Sequence, residues 1–175
     1  MGKELSVAVI LTVKNDAAGC AVTLESLALQ TRTPDEIVVV DGGSKDNTLD
    51  VIRAFSARLP QLRWIESPGA NIAEGRNIGT QAATGAIIAT TDAGCRAAPD
   101  WLEKLVAPFE TDPQTEFVAG FYRIEPHSLL EQVVGLATMR GQLDPIDPAT
   151  FNPSGRSMAY TKPLWRRAGG WPAWL

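Results

Sequence analysis

Two aspartates stand where strand-like apolar runs break off into glycine. Asp41 follows Ile37-Val38-Val39-Val40 and precedes Gly42-Gly43; Asp92 follows Ala86-Ile87-Ile88-Ala89-Thr90-Thr91 and precedes Ala93-Gly94. A carboxylate accepts hydrogen bonds from hydroxyls and binds hard divalent cations through oxygen. In an open α/β sheet, ligands bind in the crevice beyond the carboxyl ends of the strands, and glycine there lets backbone approach what is bound. The pattern points to a ligand carrying hydroxyls, or phosphates held through a metal ion.

The elements that must position these acids follow from apolar periodicity. Residues 5–13 are near continuously apolar, as a parallel strand covered on both faces requires. Polar Lys14-Asn15-Asp16 comes next, then Leu24, Leu27 and Ala28 at helical spacing, closed by Thr33-Pro34. The unit repeats: 36–41 as strand, 42–47 as loop, and 48–59 as helix with Asp46 or Asn47 as N-cap. A third strand at 62–66 leads into Ser67-Pro68-Gly69-Ala70-Asn71 and a helix over 73–83, with Arg76 and Asn77 in its first turns and a stop at Gly85. The fourth strand is 86–91, and Trp101, Leu102, Leu105, Val106 and Phe109 form a helical stripe. Four strand–helix units predict an α/β fold with a mostly parallel, doubly wound sheet and helices on both faces.

Beyond that the pattern loosens. Residues 117–124 read as a further strand, and Leu129, Leu130, Val133, Val134 and Ala137 as an amphipathic helix. Pro145, Pro148 and Pro153 mark 141–155 as a long loop, and 162–168 as a short helix stopped by Gly169-Gly170. The apolar finish Trp171-Pro172-Ala173-Trp174-Leu175 leads us to expect a fragment of a longer protein.

At 175 residues and 45% hydrophobic composition the chain supports one sizeable core, and we expect one domain over 1–175. A formal net charge of -4 offers no field for nucleic acid. Two cysteines, Cys20 and Cys95, lack CxxC spacing, which fits a reducing cytoplasm. The longest apolar run is far below the roughly 20 residues that span a bilayer. Membrane association through further sequence, peripheral to the inner membrane, stays open.

Five segments together carry a family likeness: 9–16 (Val-Ile-Leu-Thr-Val-Lys-Asn-Asp), 26–31 (Ser-Leu-Ala-Leu-Gln-Thr), 36–48 (through Asp41-Gly42-Gly43-Ser44), Gly75-Arg76-Asn77-Ile78-Gly79, and Asp92-Ala93-Gly94. In order and spacing they resemble the motifs of family 2 glycosyltransferases with the GT-A fold, a Rossmann-like sheet. The resemblance implies a nucleotide-sugar donor, UDP- or GDP-linked, and transfer to an acceptor hydroxyl with inversion. It implies donor contacts from Thr12, Val13, Lys14 and Asn15, from Asp41 and Gly42, from Asn77, and from Arg76 by the base or diphosphate. Asp92 and Ala93 would begin the DXD-type motif, with Asp92 as ligand of a divalent metal, Mg²⁺ or Mn²⁺. The second acidic position is Gly94, so any metal is held by one protein carboxylate and by the donor. Lys14 is a candidate to compensate by facing phosphate.

The family's catalytic Glu-Asp pair is expected beyond Leu175, so no catalytic base is assigned within the chain; Glu125, Asp144 and Asp147 are weak substitutes. Ser157 falls where the family shapes the acceptor side. Plainer readings stand beside these. Asp41 and Asp92 suit turn capping, Cys95 a packed thiol, His127 a cap, and the tryptophans burial. A Rossmann methyltransferase or dehydrogenase lacks its GxGxxG turn here. A non-catalytic sugar-nucleotide-binding module remains the main alternative to a transferase. The sugar, the nucleotide base and the acceptor are not legible.

Overall fold

Six strands form one sheet in the order β3-β2-β1-β4-β6-β5. The computed structural model describes residues 5–126, 128–138 and 151–173. The strands are β1 (Val7–Val13), β2 (Glu36–Asp41), β3 (Leu62–Glu66), β4 (Ile87–Asp92), β5 (Phe117–Ala119) and β6 (Met158–Thr161). The helices are α1 (Ala17–Ala28), α2 (Thr48–Ser56), α3 (Ile72–Ala82), α4 (Trp101–Thr111), α5 (Leu129–Thr138) and α6 (Lys162–Arg167).

β1 pairs in parallel with both β2 and β4, and β2 with β3. Residues on alternate sides of β1 explain why its apolar run is unbroken. Val7, Val9 and Leu11 join a core with Cys20, Leu24 and Leu27 of α1, Ile52 and Phe55 of α2, and Leu102, Leu105 and Phe109 of α4. Ala8 and Ile10 face the other way, in a second core with Val38, Val40, Ile88, Met158 and Tyr160, against which Ile78, Leu164, Trp165 and Trp171 pack. Both faces are thus covered, as the sequence predicts. α3 comes close to the sheet through glycine: a β-carbon on Gly79 would lie 2.6 Å from Ile10 Cγ2, and one on Gly75 2.9 Å from Thr12 Cγ2.

Two features depart from expectation. The strand predicted over 117–124 is only Phe117–Ala119, and β6, which the sequence pattern does not announce, inserts between it and β4. Both of its pairings, with β4 and with β5, are antiparallel, so the sheet is parallel over four strands and mixed at this edge. α5 forms as predicted, but Leu129, Leu130, Val133 and Val134 are exposed. Asp144, Asp147, Pro145, Pro148, His127, Trp174 and Leu175 lie outside the described residues. Among the described residues no helix is long and apolar enough to cross a membrane.

The strand order reverses direction at β1, with β2 on one side and β4 on the other. In open α/β sheets the crevice at such a switch point is where ligands bind. It opens at the carboxyl ends of β1, β2 and β4, beside Val13, Asp41 and Asp92.

Candidate functional site

A cavity of about 600 Å³ occupies that crevice. Thr12, Val13 and Lys14 line it from the end of β1, Val40 and Gly42 from β2, and Asp92 and Ala93 from β4. The 69–72 turn, Gly75 and Arg156 complete the lining. Gly42 keeps this wall thin, because a β-carbon there would sit 3.0 Å from the Ala70 carbonyl oxygen and 3.4 Å from Lys14 Cδ. The left-handed backbone at Gly43 (φ 90°) and Gly94 (φ 84°) lets both strand ends turn away sharply.

Asp92 is the acid at the cavity. Its Oδ1 accepts from Arg76 Nη2 at 2.6 Å, and Arg156 Nε stands 3.9 Å from its Oδ2. Arg76 is itself held: its guanidinium carbon lies 4.7 Å from the ring centroid of Trp171, and its side chain is 12% exposed. Asp92 and Arg76 therefore form a fixed, partly buried pair at the end of β4.

Asp41, expected as a donor contact, is engaged with its own turn. It is buried, its Oδ2 accepts from the backbone N–H groups of Gly43 and Ser44 at 2.9 Å each, and Ser44 Oγ donates to its Oδ1 at 2.5 Å. These three hydrogen bonds hold the turn that forms the cavity rim at Gly42. Asn15 likewise works between loops. Its backbone is left-handed (φ 52°), its N–H donates to Ser44 Oγ at 2.8 Å, and its Oδ1 accepts from Lys45 N at 2.7 Å. Asparagine tolerates that conformation better than most residues.

Arg76, expected at the base or diphosphate, and Asn77, expected as a donor contact, are not among the residues lining this cavity. Arg76 is turned onto Asp92. Asn77 fastens the segment after α6, donating to the Trp171 carbonyl at 2.8 Å and accepting from Trp171 N at 2.8 Å and Trp165 Nε1 at 3.0 Å. Ser157, expected on the acceptor side, is 3% exposed, and its Oγ accepts from Trp101 Nε1 at 3.0 Å. Glu125 is exposed and paired with Arg96 at 3.4 Å. Cys95 is a partly buried thiol whose pKa burial pushes up, as suits packing.

Among the lining residues not called as site residues from sequence, three have polar side chains: Asp16, Asn71 and Arg156. Asp16 is the N-cap of α1, its Oδ1 accepting from Gly19 N at 2.9 Å. Asn71 forms a capping box with Glu74 at the start of α3. The spacing of Asn71 and Glu74 is a capping-box signal in the sequence, but it says nothing of a cavity. Nothing local marks Arg156.

The donor set bears on the metal. Among the described residues there is no group of three or more His, Cys, Asp or Glu side chains able to hold an ion. Asp92 and Asp16 both line the cavity, and Asp16 Oδ2 lies 3.9 Å from where a β-carbon on Gly94 would be. Mg²⁺ and similar ions use one or two carboxylates together with substrate phosphates and water. The residues therefore fit an ion that arrives with a diphosphate and not one held by protein alone.

A model of glycosyl transferase family 2 matches residues 8–161. The chain belongs to that family. Among family relatives, validoxylamine A glucosyltransferase of Streptomyces hygroscopicus subsp. jinggangensis is 32% identical over 136 residues, covering 71% of this chain and 32% of that protein. Glycosyltransferase AglE of Haloferax volcanii is 35% identical over 104 residues, covering 58% of this chain and 34% of AglE. Mannosyltransferase PcManGT of Pyrobaculum calidifontis, solved in complex with GDP-Man and Mn²⁺, superposes with a TM-score of 0.74 at 27% identity, over 98% of this chain and 49% of that one. Glucosyl-3-phosphoglycerate synthase of Mycobacterium tuberculosis, solved with UDP, shares the fold at a TM-score of 0.65 and 22% identity, over 92% of this chain and 58% of that one. This family 2 chain spans about a third of the length of such curated relatives and about half of the matched structures. Its mostly parallel sheet with flanking helices is the GT-A arrangement of those structures.

Proposed function

We propose that the chain is the donor-binding domain of an inverting glycosyltransferase that moves a sugar from a UDP- or GDP-linked donor to an acceptor hydroxyl. The observation that carries this is the cavity at the β1/β4 switch point, with Asp92 and Lys14 on its walls and backbone brought close by Gly42. The GDP-Man and UDP complexes of proteins with this fold support the choice of donor class.

In this reading the loop at Thr12, Val13 and Lys14 and the rim at Gly42 receive the nucleoside, and the Lys14 ammonium faces phosphate. The acceptor oxygen attacks the anomeric carbon from the side opposite the diphosphate. The new glycosidic bond forms as the bond to the phosphate oxygen breaks, so configuration inverts and the nucleoside diphosphate leaves with the electron pair. Catalysis then rests on neutralising charge that grows on that leaving group. Asp92 would hold a divalent ion brought in with the donor, and such an ion would supply Lewis-acid stabilisation of the diphosphate. Arg76 keeps Asp92 in place, and Asp16 keeps the first loop joined to α1. The acceptor's proton needs a base; Asp92 and Asp16, each already engaged, have donor-side roles here.

The test is titration calorimetry of UDP and GDP, with and without Mn²⁺, on this chain, on Asp92→Asn, which keeps an oxygen for Arg76, and on Asp92→Ala. Binding that requires Mn²⁺ and is lost in both variants is the expected result. Metal-independent binding would remove the ion from the reading and leave the donor site. No binding of either nucleotide by the folded wild-type chain would overturn the proposal.

A further inference from the structure

We propose that Arg156 is a ligand of the donor's diphosphate, a role that rests on the nucleotide-sugar reading above. It lines the cavity together with Lys14 and Asp92. The side chain is 42% exposed, which leaves it open to a ligand, yet it is oriented by its surroundings. The guanidinium carbon lies 5.5 Å from the Tyr122 ring centroid, a cation–π distance. Its Nε is 3.9 Å from Asp92 Oδ2, beyond hydrogen-bond length. The contrast with Arg76, which spends a donor on the same carboxylate at 2.6 Å, is direct. Among the described residues no hydrogen-bond acceptor engages the Arg156 guanidinium, so its planar fork of donors is available for two phosphate oxygens at once.

The backbone on either side of Arg156 is fixed in a way that a casual surface arginine does not need. At Gly155 a β-carbon would lie 2.4 Å from the Arg76 guanidinium carbon, so the chain passes directly against the Arg76–Asp92 pair. At Ser157 the side chain is buried under Trp101, and the backbone carbonyl accepts from Gly120 N at 2.8 Å. Arg156 is the one residue of the three that points its side chain to the cavity. Charge gives the reason for it. The ionisable lining residues are Lys14 and Arg156 against Asp16 and Asp92. Arg76 already answers Asp92 and Lys14 stands against Asp16, so Arg156 is the surplus cation of the wall, the one an incoming diphosphate can use. The loose pairing to Asp92 gives way to phosphate as the donor enters.

The plain alternative is a surface ion pair with Asp92, which at this distance and exposure contributes little. The two are separated by measuring affinities of the wild-type chain, Arg156→Gln and Arg156→Lys for the nucleoside diphosphate that the wild type binds, for its monophosphate and for the nucleoside, with Mn²⁺ present. Arg156→Gln is expected to weaken the diphosphate about 10- to 100-fold, as loss of charge-assisted hydrogen bonds does, and the nucleoside less than about 2-fold. Arg156→Lys recovers part of the loss, because it keeps the charge without the fork. Equal diphosphate affinity in wild type and Arg156→Gln overturns the assignment. So does a loss of the same size for nucleoside and diphosphate, which would mean that the substitution merely disturbs the pocket. A wild-type chain that binds none of the three ligands removes the nucleotide reading itself, and this assignment with it.

Discussion

Arg76 Nη2 donates to Asp92 Oδ1 across 2.6 Å, tying the second turn of α3 to the last residue of β4. The Trp171 ring covers the guanidinium from the other side at 4.7 Å, so the segment after α6 takes part in holding the site acid. Removing Arg76 leaves a carboxylate that is only 24% exposed without its main partner. Arg76→Met should destabilise the chain by about 2–3 kcal/mol, and Trp171→Phe, which keeps a ring for the cation, by about 1 kcal/mol or less. Urea denaturation followed by circular dichroism reads both. A change below about 0.5 kcal/mol for Arg76→Met would show that the pair has no structural part.

Asp41 should behave as a fold residue. Three hydrogen bonds converge on its buried carboxylate, from Gly43 N, Ser44 N and Ser44 Oγ. Asp41→Ala strands those donors, and a loss of about 2–4 kcal/mol is expected. Asp41→Asn keeps one acceptor oxygen and should cost about half as much, while the folded variant binds nucleotide within about 3-fold of wild type. A large affinity loss in a variant of unchanged stability would return Asp41 to the list of donor contacts.

Ser157 makes a parallel case on the other side of the cavity. Its hydroxyl is the acceptor for Trp101 Nε1, which joins the start of α4 to the start of β6. Ser157→Ala leaves that indole N–H unpaired at a buried point, at a cost of about 1–2 kcal/mol. The melting temperature should fall, and the fluorescence of Trp101 should shift. Unaltered stability would argue that the hydroxyl faces something other than the protein interior.

These residues mark where sequence stops being legible. β1, β2 and β4 are written in unbroken apolar runs, because each is covered on both faces and neither face has to be polar. The glycines of α3 were visible as a motif, and their reason became visible only against Ile10 and Thr12. β6 was not legible: Met158–Thr161 is four residues long and owes its existence to pairing with β4, far away along the chain. The aspartates were found as strand-end acids, but sequence cannot say whether a carboxylate faces a cavity or its own turn. Asp92 does the first and Asp41 the second, and the difference lies in the amides of Gly43 and Ser44. Arg156 has no local signature at all, since what gives it meaning is Tyr122, Arg76 and Asp92 meeting it in space.

Cys20 offers a test of the core on the face opposite α3. The thiol is fully buried among α1 and the sheet, and burial, helped by the nearby carboxylates of Asp16, Asp41 and Asp46, pushes its pKa from 9.0 up to about 12. The sign of the effect follows from proton counting. Between those two values the folded chain keeps the thiol proton while the unfolded chain has released it, so each added pH unit favours unfolding. Stability should therefore be unaffected by this group below about pH 8 and decline above pH 9, by at most about 1.4 kcal/mol per pH unit. Tyr160, whose pKa burial also raises, adds to the decline at higher pH. Cys20→Ala costs some packing at every pH but should flatten the slope between pH 9 and 10, where Tyr160 still contributes little. Denaturation midpoints measured across that range decide it. An equal slope in wild type and Cys20→Ala would show that the thiol ionises in the folded protein as readily as in the unfolded one.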